Sequence, residues 1–155
     1  MPAFRFRAAA ALELRHQQER TAASVLSLAE ADVQRAREAV ASAETARQNA
    51  QNTLLTQQTR GIDGVGLEWH RNWISGLATA VVRLGEDVES RRAVVRKAEE
   101  AWRESRRKRL ALERLRERAW RRYQNDEARR ERQVIDELAR LRFMLGGEPA
   151  MEDES

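Results

Sequence analysis

The chain has 155 residues, a net charge of +4 and no cysteine, and 35% of its residues are charged while only 5% are aromatic. These values exclude a disulfide framework and a cysteine-based metal site, and they disfavour a sheet-based or α/β enzyme. No apolar stretch approaches about 18 residues, and the N-terminus lacks the apolar run of a signal peptide. We therefore expect a cytoplasmic protein without a transmembrane segment.

A first heptad seam predicts a long helix over about residues 8–58. Apolar residues recur at alternating steps of four and three, which is the period of a coiled coil. Between Ala22 and Leu54, only Arg47 interrupts this period. The apolar members of the seam are Ala8, Leu12, Ala22, Leu26, Ala29, Val33, Ala36, Val40, Ala43, Ala50 and Leu54.

A glycine-rich stretch predicts a turn over about residues 59–66. Gly61, Gly64 and Gly66, together with Asp63, can end one helix and reverse the chain. A phosphate-binding loop would need a preceding strand, and here a helical pattern precedes the glycines. In a hairpin centred on this stretch, the numbers of opposing residues sum to roughly 128.

A second seam predicts a helix over about residues 67–145. Gly146, Gly147 and Pro149 stop this helix, and the acidic residues 148–155 are expected to form a disordered tail. The seam is weak in its middle part and regular at both ends. Its members are Trp73, Leu77, Val81, Leu84, Val88, Arg91, Val95, Ala98, Trp102, Leu112, Leu115, Ala119, Val134, Leu138, Leu141 and Leu145.

Together the two seams predict an all-α fold, a long two-helix antiparallel coiled-coil hairpin over residues 1–147. The first helix begins near Ala8, so it has no residues left to pair with the end of the second helix. The second helix therefore continues alone for about 25 residues as a C-terminal overhang. A thin hairpin lacks the concave, partly apolar cleft of an enzyme, so we expect no catalytic residues and no cofactor. His16 and His70 are placed far apart, so we also expect no metal site.

Two tryptophans lie just after the predicted turn. Trp69, Trp73 and Leu77 are spaced i, i+4 and i+8, so they share one helix face. The favoured interpretation is a hydrophobic cap packed beneath the bend with Leu54 and Leu55. The alternative is a second partner-binding patch formed by Trp69 and Trp73, because exposed aromatic residues often mark interfaces.

Positive charge is concentrated in residues 103–147, which carry a net charge of +7. Glutamates are interleaved with the arginines and can pair with them along a helix, so nucleic acid is not the expected partner. Within residues 116–133 the apolar seam nearly vanishes, while Trp120 and Tyr123 lie among arginines. Arg, Trp and Tyr are enriched in protein interface hot spots, which favours a protein partner here.

Motifs near both ends resemble the FliJ family of flagellar type III export proteins. The opening Phe4-Arg5-Phe6-Arg7, followed by Leu12-Glu13-Leu14-Arg15, looks like the start of that family. The second half of its pattern is similar to residues 112–118, Tyr123, residues 127–131 and residues 136–139. The resemblance covers nearly the whole chain. The chain departs from the pattern at Gly76, Gly85 and Ala119-Trp120.

The resemblance implies a non-enzymatic cytoplasmic coiled coil similar to the gamma-subunit stalk of rotary ATP synthases. Its implied partners are the hexameric flagellar export ATPase, the membrane export gate and export chaperones, at the cytoplasmic face of the inner membrane. The paired termini would contact and stimulate the ATPase ring. The residues implied in this contact are Phe4, Phe6, Arg116, Arg118, Arg122, Tyr123, Glu127 and Arg130.

Two other functions stay open at this point. The first is the equivalent stalk of a virulence-type secretion system, which the residues separate only weakly from a flagellar one. The second is an arginine-rich coiled coil that binds nucleic acid or an acidic membrane surface, for which a steep salt dependence is the diagnostic property.

Overall fold

The computed structural model describes residues 3–146 and contains two long α-helices. Helix α1 spans Ala9–Arg60 (52 residues) and helix α2 spans Gly64–Gly146 (83 residues). No strand occurs within these described residues. The predicted all-α fold, an antiparallel helical hairpin, is confirmed. The expected acidic tail, residues 148–155, lies outside the described part of the chain.

Three residues, 61–63, join the two helices, so the predicted turn was too long. Gly61 has a φ of +93°, a left-handed conformation that glycine adopts without strain and that commonly ends a helix. Asp63 then caps α2, because its Oδ1 accepts a hydrogen bond of 2.8 Å from the N–H of Gly66. A Cβ at Gly66 would lie 2.8 Å from that same oxygen. A side chain at position 66 would thus crowd the capping carboxylate of Asp63. Gly64 and Gly66 lie in the first turn of α2.

The centre of the link lies at Ile62, nearer to α1 than the predicted centre. Arg91 Nη1 lies 3.9 Å from Asp32 Oδ2 across the hairpin, and these residue numbers sum to 123. This pair is offset by about one helical turn from the register predicted from a centre near Asp63 and Gly64. By contrast, Val33 and Val95, whose numbers sum to 128, line one groove.

The chain divides into two compact units, and both helices contribute to each. The terminal unit comprises residues 3–14 and 109–146, and the bend unit comprises residues 15–108. The core of the bend unit is a thin seam of small side chains, which lets the two helix axes approach closely. Its buried members are Ala29, Val33, Ala36, Ala50, Val88 and Ala98.

The seam of α2 near the bend differs from the predicted one by one residue. Trp73 is 53% exposed, whereas Ile74 and Leu77 are half-buried. Starting the seam at Ile74 keeps steps of three and four in alternation, while starting it at Trp73 requires two consecutive steps of four. Leu115 was also placed on the seam, and it is 47% exposed.

Two arginines at the contact between the helices form ion pairs with carboxylates on their own helix. Arg47, the interruption of the first seam, pairs with Glu44 at 3.1 Å, while its Nε is buried without a hydrogen-bond partner. Arg91 Nε donates a hydrogen bond of 2.9 Å to Asp87. This hydrogen bond, with the charge of the same carboxylate, raises the pKa of Arg91 above its ordinary value.

The terminal unit has a short paired part and a longer unpaired part. Leu12 is its buried apolar residue, with 7% exposure. Every residue from 129 to 146 is exposed. This part of α2 has no packing partner among the described residues, which agrees with the predicted overhang.

Candidate functional site

Three aromatic rings meet in the terminal unit and form the centre of the candidate site. The Phe4 ring packs edge-on against Trp120, with centroids 5.0 Å apart and planes at 73°. It also lies 5.5 Å from Tyr123. Trp120 and Tyr123 are stacked at 5.6 Å, with planes at 21°. Edge-to-face and offset contacts of this kind are the favourable geometries for aromatic pairs.

The ends of both helices place these rings together. Trp120 and Tyr123 are three residues apart on α2, so they share one face. Residues 3–8 precede α1 outside the helix, which allows Phe4 to reach that face. The Ala9 N–H then donates a 3.2 Å hydrogen bond to the Phe6 carbonyl as the chain enters α1. Phe6 itself is half-buried.

An open groove of about 480 Å³ lies beside the ring cluster. Phe4 and Trp120 supply its apolar part, while Glu113, Arg116 and Glu117 supply its charged part. Trp120 is 41% exposed, so its ring is accessible at the surface. This surface can receive a side chain that buries carbon atoms against the rings and carries a charged or polar head.

Two arginines of the predicted site lie on a different face of α2. Arg118 and Arg122 are exposed and four residues apart, so they share one helix face. Neither forms an ion pair within residues 3–146. By contrast, Arg121 pairs with Glu117 at 2.6 Å. Arg118 and Arg122 therefore present positive charge that no neighbouring carboxylate neutralises.

The last two predicted residues pair with each other. Arg130 Nη1 lies 2.9 Å from Glu127 Oε1, and the Glu127 side chain is only 16% exposed. The structure thus brings Phe4, Arg116 and Tyr123 to one surface. Arg118 and Arg122 lie on another face of α2. Glu127, four residues after Tyr123, shares the face of the rings. That any of these residues binds a partner is still a prediction.

Trp120 is the central residue that the family-based site prediction omitted. The FliJ-like pattern has charged residues at this position, so the resemblance did not include Trp120. Its spacing of three from Tyr123 and four from Arg116 was the available signal, since these separations put side chains on one helix face.

The bend unit carries a second exposed aromatic pair. The Trp69 and Trp73 rings are stacked at 6.3 Å with planes at 8°, and the side chains are 62% and 53% exposed. Leu55 is 62% exposed as well. The favoured prediction of a hydrophobic cap beneath the bend is therefore wrong for these three residues. The alternative, a partner-binding patch at Trp69 and Trp73, stays a prediction.

Residues 3–146 contain no group of three or more histidine and carboxylate side chains arranged to hold a metal ion. None of the described helices combines the length and hydropathy that crossing a bilayer requires.

Comparison with known proteins gives one family and one related fold. The model of the FliJ family, described as flagellar FliJ protein, matches residues 9–148. Among solved structures, the YscO homolog CT670 from Chlamydia trachomatis is similar, with a TM-score of 0.56 and 17% identity, covering 93% of this chain and 98% of that chain. At this identity the likeness concerns the fold. No curated protein sequence matches significantly.

Proposed function

The chain belongs to the FliJ family of flagellar proteins, and from this membership we propose a non-enzymatic stalk and adaptor of the flagellar type III export apparatus. Its terminal unit binds and stimulates the hexameric export ATPase. The protein also engages the membrane export gate and escorts export chaperones at the cytoplasmic face of the inner membrane. No cofactor and no nucleic acid take part.

The observation that carries this proposal is the ring cluster of Phe4, Trp120 and Tyr123. A solvated coiled-coil face gains nothing from accessible aromatic rings, whereas protein interfaces are enriched in Trp, Tyr and Arg. The groove beside Phe4 and Trp120 adds Arg116 to this surface. Such a combination supports a protein partner at the terminal unit.

Arg118 and Arg122 indicate the charge of the partner surface. Both are exposed, and within residues 3–146 neither is paired with a carboxylate, so they are available to an acidic surface of the ATPase. Exposed charges chiefly accelerate association and are screened by salt. The proposed engagement is therefore reversible and weakens as ionic strength rises.

The same charge distribution supports a protein partner over a nucleic acid. Within residues 109–146, three of eleven arginines are neutralised by carboxylates on their own helix: Arg109 by Glu113 at 2.9 Å, Arg121 by Glu117 at 2.6 Å and Arg130 by Glu127 at 2.9 Å. A phosphate-binding surface depends on unneutralised cations along its whole length. Here only part of the arginine set is available.

The experiment is ATP hydrolysis by the cognate flagellar export ATPase with and without the full chain. We expect stimulation by the unmodified protein and a loss of at least about fivefold in half-maximal concentration for the R118A/R122A variant, since two charge-assisted contacts are removed. Adding Phe4→Ala should reduce stimulation further. Unchanged stimulation by the R118A/R122A variant would contradict the assignment of the site to these arginines.

The matched control removes two arginines elsewhere. Arg35 and Arg107 are 70% and 77% exposed and lie in the bend unit. The R35A/R107A variant changes the net charge equally, so we expect it to stimulate normally. A W69A/W73A variant in the same assay tests whether the second aromatic pair contributes.

The motility of a deletion strain distinguishes the flagellar role from the virulence-type alternative. A strain that lacks this protein should fail to assemble flagella and should not swim. If the mutant swims normally but loses secretion by an injectisome, the flagellar assignment is wrong and the virulence-type stalk is correct.

A further inference from the structure

The exposed part of α2 carries an apolar seam that no described residue covers. Val134, Leu138, Leu141 and Leu145 follow steps of four, three and four, which places them at d, a, d and a positions of successive heptads. They are 55%, 56%, 52% and 87% exposed. A coiled-coil seam of this regularity is normally buried against another helix.

The charged residues beside this seam stand where coiled coils place their interchain ion pairs. With Leu138 at an a position, Glu137 is at g and Arg142 is at the following e position. Neither residue forms an ion pair within residues 3–146. A separation of five puts them on opposite sides of the seam, so they cannot pair with each other. In a parallel pair of helices, a g residue contacts the e residue of the next heptad on the other helix, five positions later.

We propose that a second copy of this chain covers the seam, so that residues 134–145 form a parallel two-fold dimer. Glu137 of each copy then pairs with Arg142 of the other. A two-fold axis repeats every contact, so the dimer contains this ion pair twice and buries both apolar seams. The proposal uses none of the residues assigned to the ATPase and does not depend on that function.

The seam is short, so the area that it buries in a dimer is small and the association should be weak. Two heptads span about 21 Å of helix, and their contact is smaller than the roughly 800 Å² per partner of a standard stable interface. The helix is already formed as the end of α2, so pairing carries no cost of folding a disordered segment. We therefore expect a weak, concentration-dependent dimer.

The decisive experiment reverses the two charges one at a time in the full chain, with sedimentation equilibrium as the measurement. The E137R variant and the R142E variant each place like charges together twice in their homodimers, so each should dimerise about tenfold more weakly. An equimolar mixture of the two variants should recover association, because opposite charges then face each other in the mixed dimer. The E137R/R142E double variant should also recover.

Matched controls lie next to the seam but outside it. Asp136 and Arg140 are exposed, and they occupy f and c positions, which point away from the partner helix. The D136R and R140E variants repeat the same charge changes, and their dimerisation should equal that of the unmodified chain.

A cysteine introduced at the seam tests the orientation, since the chain has no cysteine of its own. In the parallel dimer, V134C places the two new thiols at facing d positions, and mild oxidation should cross-link them. In an antiparallel dimer Val134 would face Leu145, and V134C would not cross-link to itself. A chain that is monomeric at all concentrations, or a dimer that the charge reversals do not affect, would overturn the proposal.

Discussion

The two ends of the helical hairpin share one heptad period but have very different surfaces. Residues 48–82, around the bend, contain four charged residues, whereas residues 109–142 contain eighteen. The first region exposes a stacked tryptophan pair, and the second exposes an aromatic cluster among arginines. The period of the apolar residues fixes the helical pairing, while the residues off that period decide what each surface can bind.

If both surfaces bind partners, their contacts should respond differently to salt. Contacts made by the terminal unit should weaken as salt rises, because exposed charges are screened within about 10 Å at ordinary ionic strength. Contacts made by Trp69 and Trp73 should change little with salt, since ring burial is not electrostatic. Three substitutions test whether a change in one unit leaves the stability and dynamics of the other unit unchanged.

The largest expected effect comes from the core of the terminal unit. The L12A variant removes its buried leucine, which we expect to destabilise this unit by about 2 kcal/mol, the lower end of the range for buried Leu→Ala changes. Hydrogen exchange should show faster opening in residues 9–14 and 109–119, with residues 29–50 unchanged. Equal loss of protection in both units would show that they unfold together, which would contradict the view that the two units are independent.

A smaller effect is expected from the aromatic cluster. The F4A variant removes ring contacts of 5.0 and 5.5 Å to Trp120 and Tyr123, and aromatic pairs contribute about 1 kcal/mol beyond their buried area. Residues 3–8 should then detach more often, and trypsin should cleave after Arg7 about fivefold faster, which is that free energy expressed as an opening equilibrium. The W69A variant is the control and should leave this cleavage rate unchanged.

The smallest effect is expected from the ion pair across the bend unit. Arg91 lies 3.9 Å from Asp32, and both side chains are more than 40% exposed. The R91A variant should lower the free energy of unfolding only slightly, because exposed ion pairs contribute little, and high salt should remove the difference. The R92A variant, which loses only the pair with Glu89 on the same helix, is the comparison in a urea titration. A loss of stability for R91A that clearly exceeds that of R92A and persists in high salt would give this pair a structural role that exposed ion pairs do not have.

Much of the fold follows from the sequence because it depends on a repeated local pattern. The first seam was predicted at the positions that the structure buries or half-buries, including Ala29, Val33 and Ala36. The register could be predicted only to within about one helical turn, because it depends on where the centre of the link lies. Asp63 can act as a turn residue or as a helix cap, and its use as a cap places that centre at Ile62.

The candidate site was predictable only in part. Arg118 has no carboxylate three or four residues away in either direction, so its lack of a helical ion pair could be read from the sequence. The contact of Phe4 with Trp120 could not be predicted from the sequence, since it joins residues far apart in the chain through a segment outside the helices. Likewise, the exposure of Trp73 follows from a shift of one position in the seam, which size and hydrophobicity alone do not reveal.

The most direct test of the proposed site is hydrogen exchange of the full chain with and without the export ATPase. We predict new protection in residues 3–8 and 116–130, which weakens as salt is added, while residues 65–77 exchange as in the free protein. Protection confined to residues 65–77, with residues 116–130 unchanged, would contradict this prediction and move the ATPase contact to the tryptophan pair at the bend.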